Sequence, residues 1–226
     1  MKTAVVLVSG GMDSAVCLAK AVKLFGADQV LALSLYYGQK HVKELDCAKA
    51  LAAYYHVEHR GIMMADIFDD SGCPLLQGRE DVPRESYADQ LAKKIGTVTT
   101  YVPFRNGLLL AHAAAIAYSV GASVIFYGAH QDGMTGAAYP DCSTSFISAM
   151  NSAIWQGTGK KVALTAPLQD LVKASVVAEG VELEVPFELT WSCYVGEDKA
   201  CGTCGTCIDR QNAFKLNGLV DPITYK

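Results

Sequence analysis

Ser9-Gly10-Gly11-Met12-Asp13-Ser14 stands between an apolar run, Ala4 to Val8, and a helix-forming stretch, Ser14 to Phe25, and it constrains the fold more than any other feature. A buried strand that turns through two glycines into a helix gathers main-chain N–H groups and the positive end of the helix dipole at one spot, which suits an anion. Ser9 and Ser14 add hydroxyl donors. The string has no Gly-Lys-Ser/Thr ending, so it is not a Walker A loop, and it is not the GxGxxG dinucleotide fingerprint. The plainer alternative is a tight turn with Asp or Ser capping the helix.

The strand-then-helix rhythm continues. Val30 to Leu35 precedes Val42 to Tyr55, Val57 to Met64 follows, Gly107 to Ser119 leads to Val124 to Tyr127, and Phe146 to Trp155 leads to Val162 to Leu164. Continuously apolar strands alternating with helices predict an α/β fold: a doubly wound parallel sheet covered on both faces, with its ligand site at the carboxyl ends of the strands. Gly107 to Tyr127 is 21 residues long without a formal charge. His112 and the Ser119-Val120-Gly121 break make it a buried helix and a buried strand, not a membrane span. His112 is read as structural.

Asp66 to Thr100 interrupts the rhythm with acidic, proline and glycine clusters, which predicts a long loop, either a lid or binding loop or a solvated excursion. After Leu183 proline, aromatics and clustered cysteines take over. The expected organisation is a core over 1–182 carrying the insertion 66–100, then a small C-terminal unit over 183–226.

Lys plus Arg number 19 against 23 for Asp plus Glu in 226 residues, a net charge of -4. That balance counts against a protein that grips a polyphosphate backbone. Only five apolar residues, Ala4 to Val8, precede the first break, so no export signal is expected and the cytoplasm is the expected compartment. Of eight cysteines, Cys17, Cys47, Cys73 and Cys142 are scattered, whereas Cys193, Cys201, Cys204 and Cys207 fall within fifteen residues. Four thiolates complete a tetrahedral site, and Gly202 and Gly205 relieve the knuckle turns between the two-residue spacings. A bacterial four-iron cluster would want a cysteine where Gln211 stands, and a redox dithiol needs only two of the four. A structural zinc, with no open position, is the expected occupant.

The loop SGGMDS resembles the SGGxDS pyrophosphate loop of the ATP-pyrophosphatase (PP-loop) family, whose fold is Rossmann-like, of the adenine nucleotide α-hydrolase type. Further strings, from residue 4 to about residue 214, resemble one branch, the 7-cyano-7-deazaguanine synthases of queuosine precursor biosynthesis. They are Tyr37-Gly38-Gln39-Lys40-His41 with Glu44, Val102-Pro103-Phe104-Arg105-Asn106, Gly128-Ala129-His130-Gln131-Asp132, Tyr139-Pro140-Asp141-Cys142, Pro167 to Lys173, and Thr190-Trp191-Ser192-Cys193-Tyr194. Phe104 stands where that branch usually has glycine, and Gly133 to Ala138 is longer than the usual link.

The resemblance implies an ATP-dependent ligase. It adenylates the carboxylate of 7-carboxy-7-deazaguanine, lets ammonia displace AMP, then adenylates the amide and eliminates AMP to leave the nitrile. It implies ATP along Val8-Ser9-Gly10-Gly11-Met12-Asp13-Ser14-Ala15-Val16-Cys17-Leu18, with Arg105 and Lys173 supplying positive charge and Ser14 a hydroxyl. Asp13 caps the helix or helps hold Mg2+. Asp141 first and Asp132 second are the carboxylates for the guanine-like N–H and NH2 edge, Tyr139 or Phe104 stacks on the ring, and His41 and His130 handle protons. No glutaminase arrangement is visible, so free ammonia is the nitrogen donor. A homodimer without membrane or direct nucleic-acid contact is implied. The alternative is a PP-loop relative adenylating another substrate, such as a tRNA thiolase, which needs a catalytic cysteine outside the metal set; Cys142 and Cys73 are available.

Overall fold

The computed structural model describes residues 1–40, 42–64, 67–78, 81–93, 97–130, 139–196 and 198–226. Five strands form one sheet: β1 (Ala4–Leu7), β2 (Val30–Tyr36), β3 (Glu58–Met63), β4 (Val124–Phe126) and β5 (Ala163–Thr165). Their order is β3-β2-β1-β4-β5 and every pairing is parallel. The chain winds outward from β1 in one direction and then restarts at β4 on its other side. The crevice at that reversal opens at the carboxyl ends of β1 and β4.

The helices are α1 (Met12–Phe25), α2 (Lys43–Tyr54), α3 (Tyr87–Lys93), α4 (Arg105–Val120), α5 (Thr144–Gly157), α6 (Lys173–Glu182) and α7 (Gly205–Leu216). Successive residues of β1 face opposite layers. Ala4, Val6 and Val8 join α1, α2, α6 and α7 in one core. Val5 and Leu7 join α4 and α5 in the other. Both cores bury side chains to zero exposure, as at Val6, Leu18, Leu31 and Leu110. β3 is the exception to the apolar rule, because its sequence EHRGIM has one neighbouring strand and stays largely exposed. Among the described residues no helix is long and apolar enough to cross a membrane.

The stretch 66–100 differs from a plain loop. It contains α3, and its Phe68, Cys73, Leu75, Leu76 and Val82 are buried in a third apolar core with Trp191, Cys193 and Cys204. These residues follow no helical or strand period, so periodicity does not reveal that they pack together. The C-terminal stretch also divides its contacts: its cysteines lie in that third core, while Ala213 and Phe214 of α7 enter the main one. Arg210, with no solvent exposure, pins the stretch together, donating Nε and Nη2 to the two Asp221 carboxylate oxygens at 2.8 and 2.9 Å and Nη1 to Thr190 Oγ1 at 2.7 Å. A charge so buried is tolerable because every donor group has a partner.

Candidate active site

The loop between β1 and α1 is shaped by its own serines. Ser9 N and Ser9 Oγ both donate to Ser14 Oγ at 3.2 Å, Ser14 Oγ donates to Gly11 O at 2.8 Å, and Gly11 N donates to Ser9 Oγ at 3.2 Å. Gly10 is needed for two reasons. Its φ is 95°, in the left-handed half of conformational space, and a Cβ there would sit 1.9 Å from the carbonyl oxygen of Glu44 in α2. Trp191 N donates to Gly10 O at 2.9 Å. The loop is therefore held between the start of α2 and the segment leading to the cysteines.

At the N-terminus of α1, Asp13 receives both of its carboxylate bonds from Lys173, the first residue of α6, at 2.7 and 2.6 Å. His130 Nδ1 lies 3.5 Å from Asp13 Oδ2. The main chain of His130 pairs with Leu168 beyond the ends of β4 and β5, which fixes the ring's approach. Burial works against the Asp13 charge, but the Lys173 ammonium and His130 outweigh it and hold the carboxyl below its ordinary value. Burial, aided by Lys173, lowers His130 to about 4, so it is neutral at pH 7.

A cavity of about 920 Å³ opens over this loop, at the crevice between β1 and β4. Ser9, Gly11, Met12, Asp13, Ser14, His130 and Lys173 line one end. Of the span expected for ATP, Ala15, Val16, Cys17 and Leu18 are fully buried and do not line the cavity, because the helix turns those positions into the main core. Val8 lines the cavity despite its own burial.

The other end is built by α3, α4 and the cysteine segment. Arg105, at the start of α4, donates Nη1 to Tyr37 Oη at 2.9 Å and Nε to Asn106 Oδ1 at 3.4 Å. Among the described residues it has no carboxylate within salt-bridge distance. Although burial opposes its charge, Tyr37, Tyr194 and Tyr127 hold its proton firmly. Tyr87, Tyr139 and Tyr194 complete the wall. Tyr87 Oη and Tyr194 Oη are 3.1 Å apart, Tyr139 Oη is 2.8 Å from Thr100 Oγ1, and the Tyr87 and Tyr139 rings meet edge to face at 5.7 Å. Burial pushes all three phenols up.

Glu44 is a residue that the sequence-based site set omits. It lines the cavity from the first turn of α2, and among the described residues its carboxylate makes no hydrogen bond and no ion pair. Burial raises the group to about 7, against the pull of Arg105 and with the help of Cys193. Its position was the available signal: an acidic residue in the first turn of the helix after the second strand lies at the carboxyl edge of the sheet, where ligands bind.

Two substrate candidates lie off the cavity wall. Asp141 is 3% exposed and its Oδ2 accepts from Asn106 N at 3.0 Å, so it caps α4 from a distant segment, the helix having no side-chain cap from Phe104. Asp141 Oδ1 is buried without a partner among the described residues. Phe104 is 54% exposed, packs edge-on against Phe146 at 5.9 Å and covers Gly107. Its φ of 54° is the left-handed conformation that glycine takes more easily, a strain of about 1–2 kcal/mol for a residue with a Cβ. His41 and Asp132 lie outside the described residues. His112 turns back on its own helix, with Nδ1 2.8 Å from Leu108 O.

The four clustered cysteines come together at the edge of this second end. Their Sγ atoms all lie within 4.8 Å of one another, and Cys201 and Cys207 are 3.9 Å apart. Tetrahedral thiolates about 2.3 Å from one ion are about 3.8 Å apart, so the donor set fits a metal. Cys193 Sγ accepts from the main-chain N–H groups of Val195, Gly196 and Cys201 at 3.0 to 3.4 Å, and Cys201 Sγ from those of Thr203 and Cys204. Cys204 and Cys207 together hold the Cys193 thiol far below its ordinary value, while Cys193 and Cys204 push Cys207 up. Four thiolates held this close together require a cation.

A parallel sheet whose strand order reverses beneath a serine-glycine loop, with a lysine drawn onto the helix start, defines an α/β protein of the PP-loop kind. The family model described as "Queuosine biosynthesis protein QueC" matches residues 3–218, and the chain belongs to that family. It is similar to the 7-cyano-7-deazaguanine synthase of Caldicellulosiruptor bescii, 41% identical over 223 residues that cover 99% of this chain and 97% of that one. It is also similar to the 7-cyano-7-deazaguanine synthase of Archaeoglobus fulgidus, 39% identical over 221 residues, 97% of this chain and 89% of that one. In fold it is similar to the NMN synthetase of Francisella tularensis, with a TM-score of 0.50 and 18% identity over 97% of this chain and 78% of that one.

Proposed function

We propose that the protein is an ATP-dependent carbon–nitrogen ligase that turns 7-carboxy-7-deazaguanine and ammonia into 7-cyano-7-deazaguanine, releasing AMP and pyrophosphate. The observation that carries this is near-full-length similarity to 7-cyano-7-deazaguanine synthases. The cavity supports it: one end has donors for a departing pyrophosphate, the other a buried guanidinium without a carboxylate partner among the described residues.

A carboxylate oxygen leaves poorly until it is phosphorylated, and expelling pyrophosphate demands positive potential where the charge develops. In this reading the Gly11 and Ser14 region of the loop, the α1 dipole and Lys173 meet the phosphates. Arg105 orients the substrate carboxylate, and Tyr139 offers a face to the ring. Asp13, ionised and beside the phosphates, offers oxygen to Mg2+, which spreads phosphate charge when bound. Cys193, Cys201, Cys204 and Cys207 hold a structural zinc, whose role is to fix the chain that supports Gly10. We assign 1–182 to the core, with 66–100 as its insertion, and 183–226 to the metal unit, and place the protein in the cytoplasm as a homodimer.

The test supplies ATP, ammonium and the deazaguanine acid. Nitrile formation with AMP release dependent on the acid is expected. Absence of acid-dependent AMP release overturns the proposal.

A further inference from the structure

Resting on the function just proposed, we propose that the Glu44 carboxylate is the proton acceptor for the nitrogen chemistry, deprotonating ammonium before the first substitution and the amide nitrogen during nitrile formation.

Ammonium has no lone pair to attack with, and an amide becomes a nitrile only by losing both N–H protons. Among the described residues three carboxylates and one imidazole line the cavity: Asp13, Glu44, Asp209 and His130. Asp13 is held by Lys173 through two short bonds. His130 lies beside the same ammonium, which opposes its protonation. Asp209 already has a partner. Glu44 has no hydrogen bond or ion pair among the described residues. Its own carbonyl abuts Gly10, so α2 carries the carboxylate at a fixed distance from the phosphate loop. Arg105 from α4 and Tyr37 from the segment after β2 line the same cavity as Glu44 and interact with it electrostatically, so the carboxylate shares one space with the loop and with the guanidinium proposed to orient the substrate carboxylate; Cys193 of the metal unit also acts on it.

The steps balance. Ammonium gives one proton to Glu44, and the freed lone pair forms a C–N bond to the acyl carbon as the C–O bond to AMP breaks and AMP departs with that electron pair; the extra proton then left on the new C–N nitrogen passes to solvent, giving the neutral amide. After Glu44 releases its proton to solvent, the amide oxygen attacks the α-phosphorus of a second ATP and pyrophosphate leaves. Glu44 then accepts an N–H proton as the second C–O bond breaks, the C≡N bond completes and AMP leaves; the other N–H proton passes to solvent.

Adenylation needs no such base, which separates the two halves experimentally. For E44Q, acid-dependent exchange of labelled pyrophosphate into ATP should stay within about threefold of the unsubstituted protein. Amide formation from ammonium, and nitrile formation from the supplied amide, should each fall about 100-fold or more. Hydroxylamine, largely unprotonated at neutral pH, should restore substitution in E44Q to near the unsubstituted rate, which a merely structural defect would not allow. E44D, retaining a carboxylate, should recover part of the ammonium rate and carries the same test should E44Q not fold. Undiminished amination by E44Q, or parallel loss of exchange and amination without hydroxylamine rescue, would overturn the assignment. Absence of exchange in the unsubstituted protein would instead overturn the proposed function itself.

Discussion

The two ends of the cavity handle charge in opposite ways. At the loop end, Asp13 and Lys173 neutralise each other through two short hydrogen bonds, with the neutral His130 just beyond hydrogen-bonding reach. At the other end, Arg105 and Glu44 feel each other electrostatically, but among the described residues they close no ion pair, and Arg105 bonds instead to the Tyr37 phenol. A closed pair is rigid and inert until a competing charge arrives, so the loop end is built to hold one geometry. An open pair leaves its charges available to an incoming group, so the other end is the one that can respond to a change in its contents. Gly10 joins them, since it touches Glu44 on one side and Trp191 on the other.

The sharpest way to break this comparison is at that joint. Gly10→Ala places a Cβ 1.9 Å from a main-chain oxygen. Loss of more than about 4 kcal/mol of stability and of nucleotide binding is expected, measured by denaturant melting and ATP titration. Gly38→Ala, also at positive φ (88°) but with nothing within 4 Å, isolates the conformational part at about 1–2 kcal/mol. Next comes the far end alone. Cys204→Ser should abolish stoichiometric metal and lower the melting temperature by about 10 °C, the expected consequence of about 3–5 kcal/mol in a domain of this size; calorimetry with metal analysis checks both.

The loop end alone is probed through pH. His130 falls from 6.5 to about 4 on folding. Between those values the unfolded chain binds a proton that the folded one refuses, so stability declines as pH drops from 6.5 towards 4 and this contribution is exhausted below. Asp13 has the opposite chemistry but the same direction: its lowered carboxyl stabilises above 3.8 and loses that contribution as pH falls through its folded value. His130→Gln should therefore remove about 3 kcal/mol from the decline between pH 6.5 and 4 while leaving the more acidic part in place, read from urea midpoints across the range.

What the sequence discloses of this architecture follows the range of the interactions. The strand-loop-helix at Ser9 to Ser14, the parallel layers and the four-cysteine spacing are local patterns, and each has its counterpart in the structure. Asp141 illustrates the opposite case. Its place in a Tyr-Pro-Asp-Cys string says nothing of the cap it supplies to α4, because that bond joins segments distant in sequence. The buried apolar residues of 66–100, the Arg210–Asp221 pair and the exposed setting of Phe104 are likewise products of tertiary packing. Glu44 stood in a quoted motif, yet the absence of a hydrogen bond or ion pair among the described residues becomes visible only when its neighbours are placed.

The bond from Trp191 N to Gly10 O also bears on the order in which the molecule folds. β1 and α1 have strong local patterns, but the loop between them takes its final shape only when α2 and the cysteine segment have both arrived, and Gly10 and Trp191 stand near opposite ends of the chain. Contacts of such long range form slowly, after the loop-closure entropy has been overcome. The native shape of the loop is therefore among the last features to appear during refolding, and the Gly10–Trp191 bond marks a chain whose two end regions have already met.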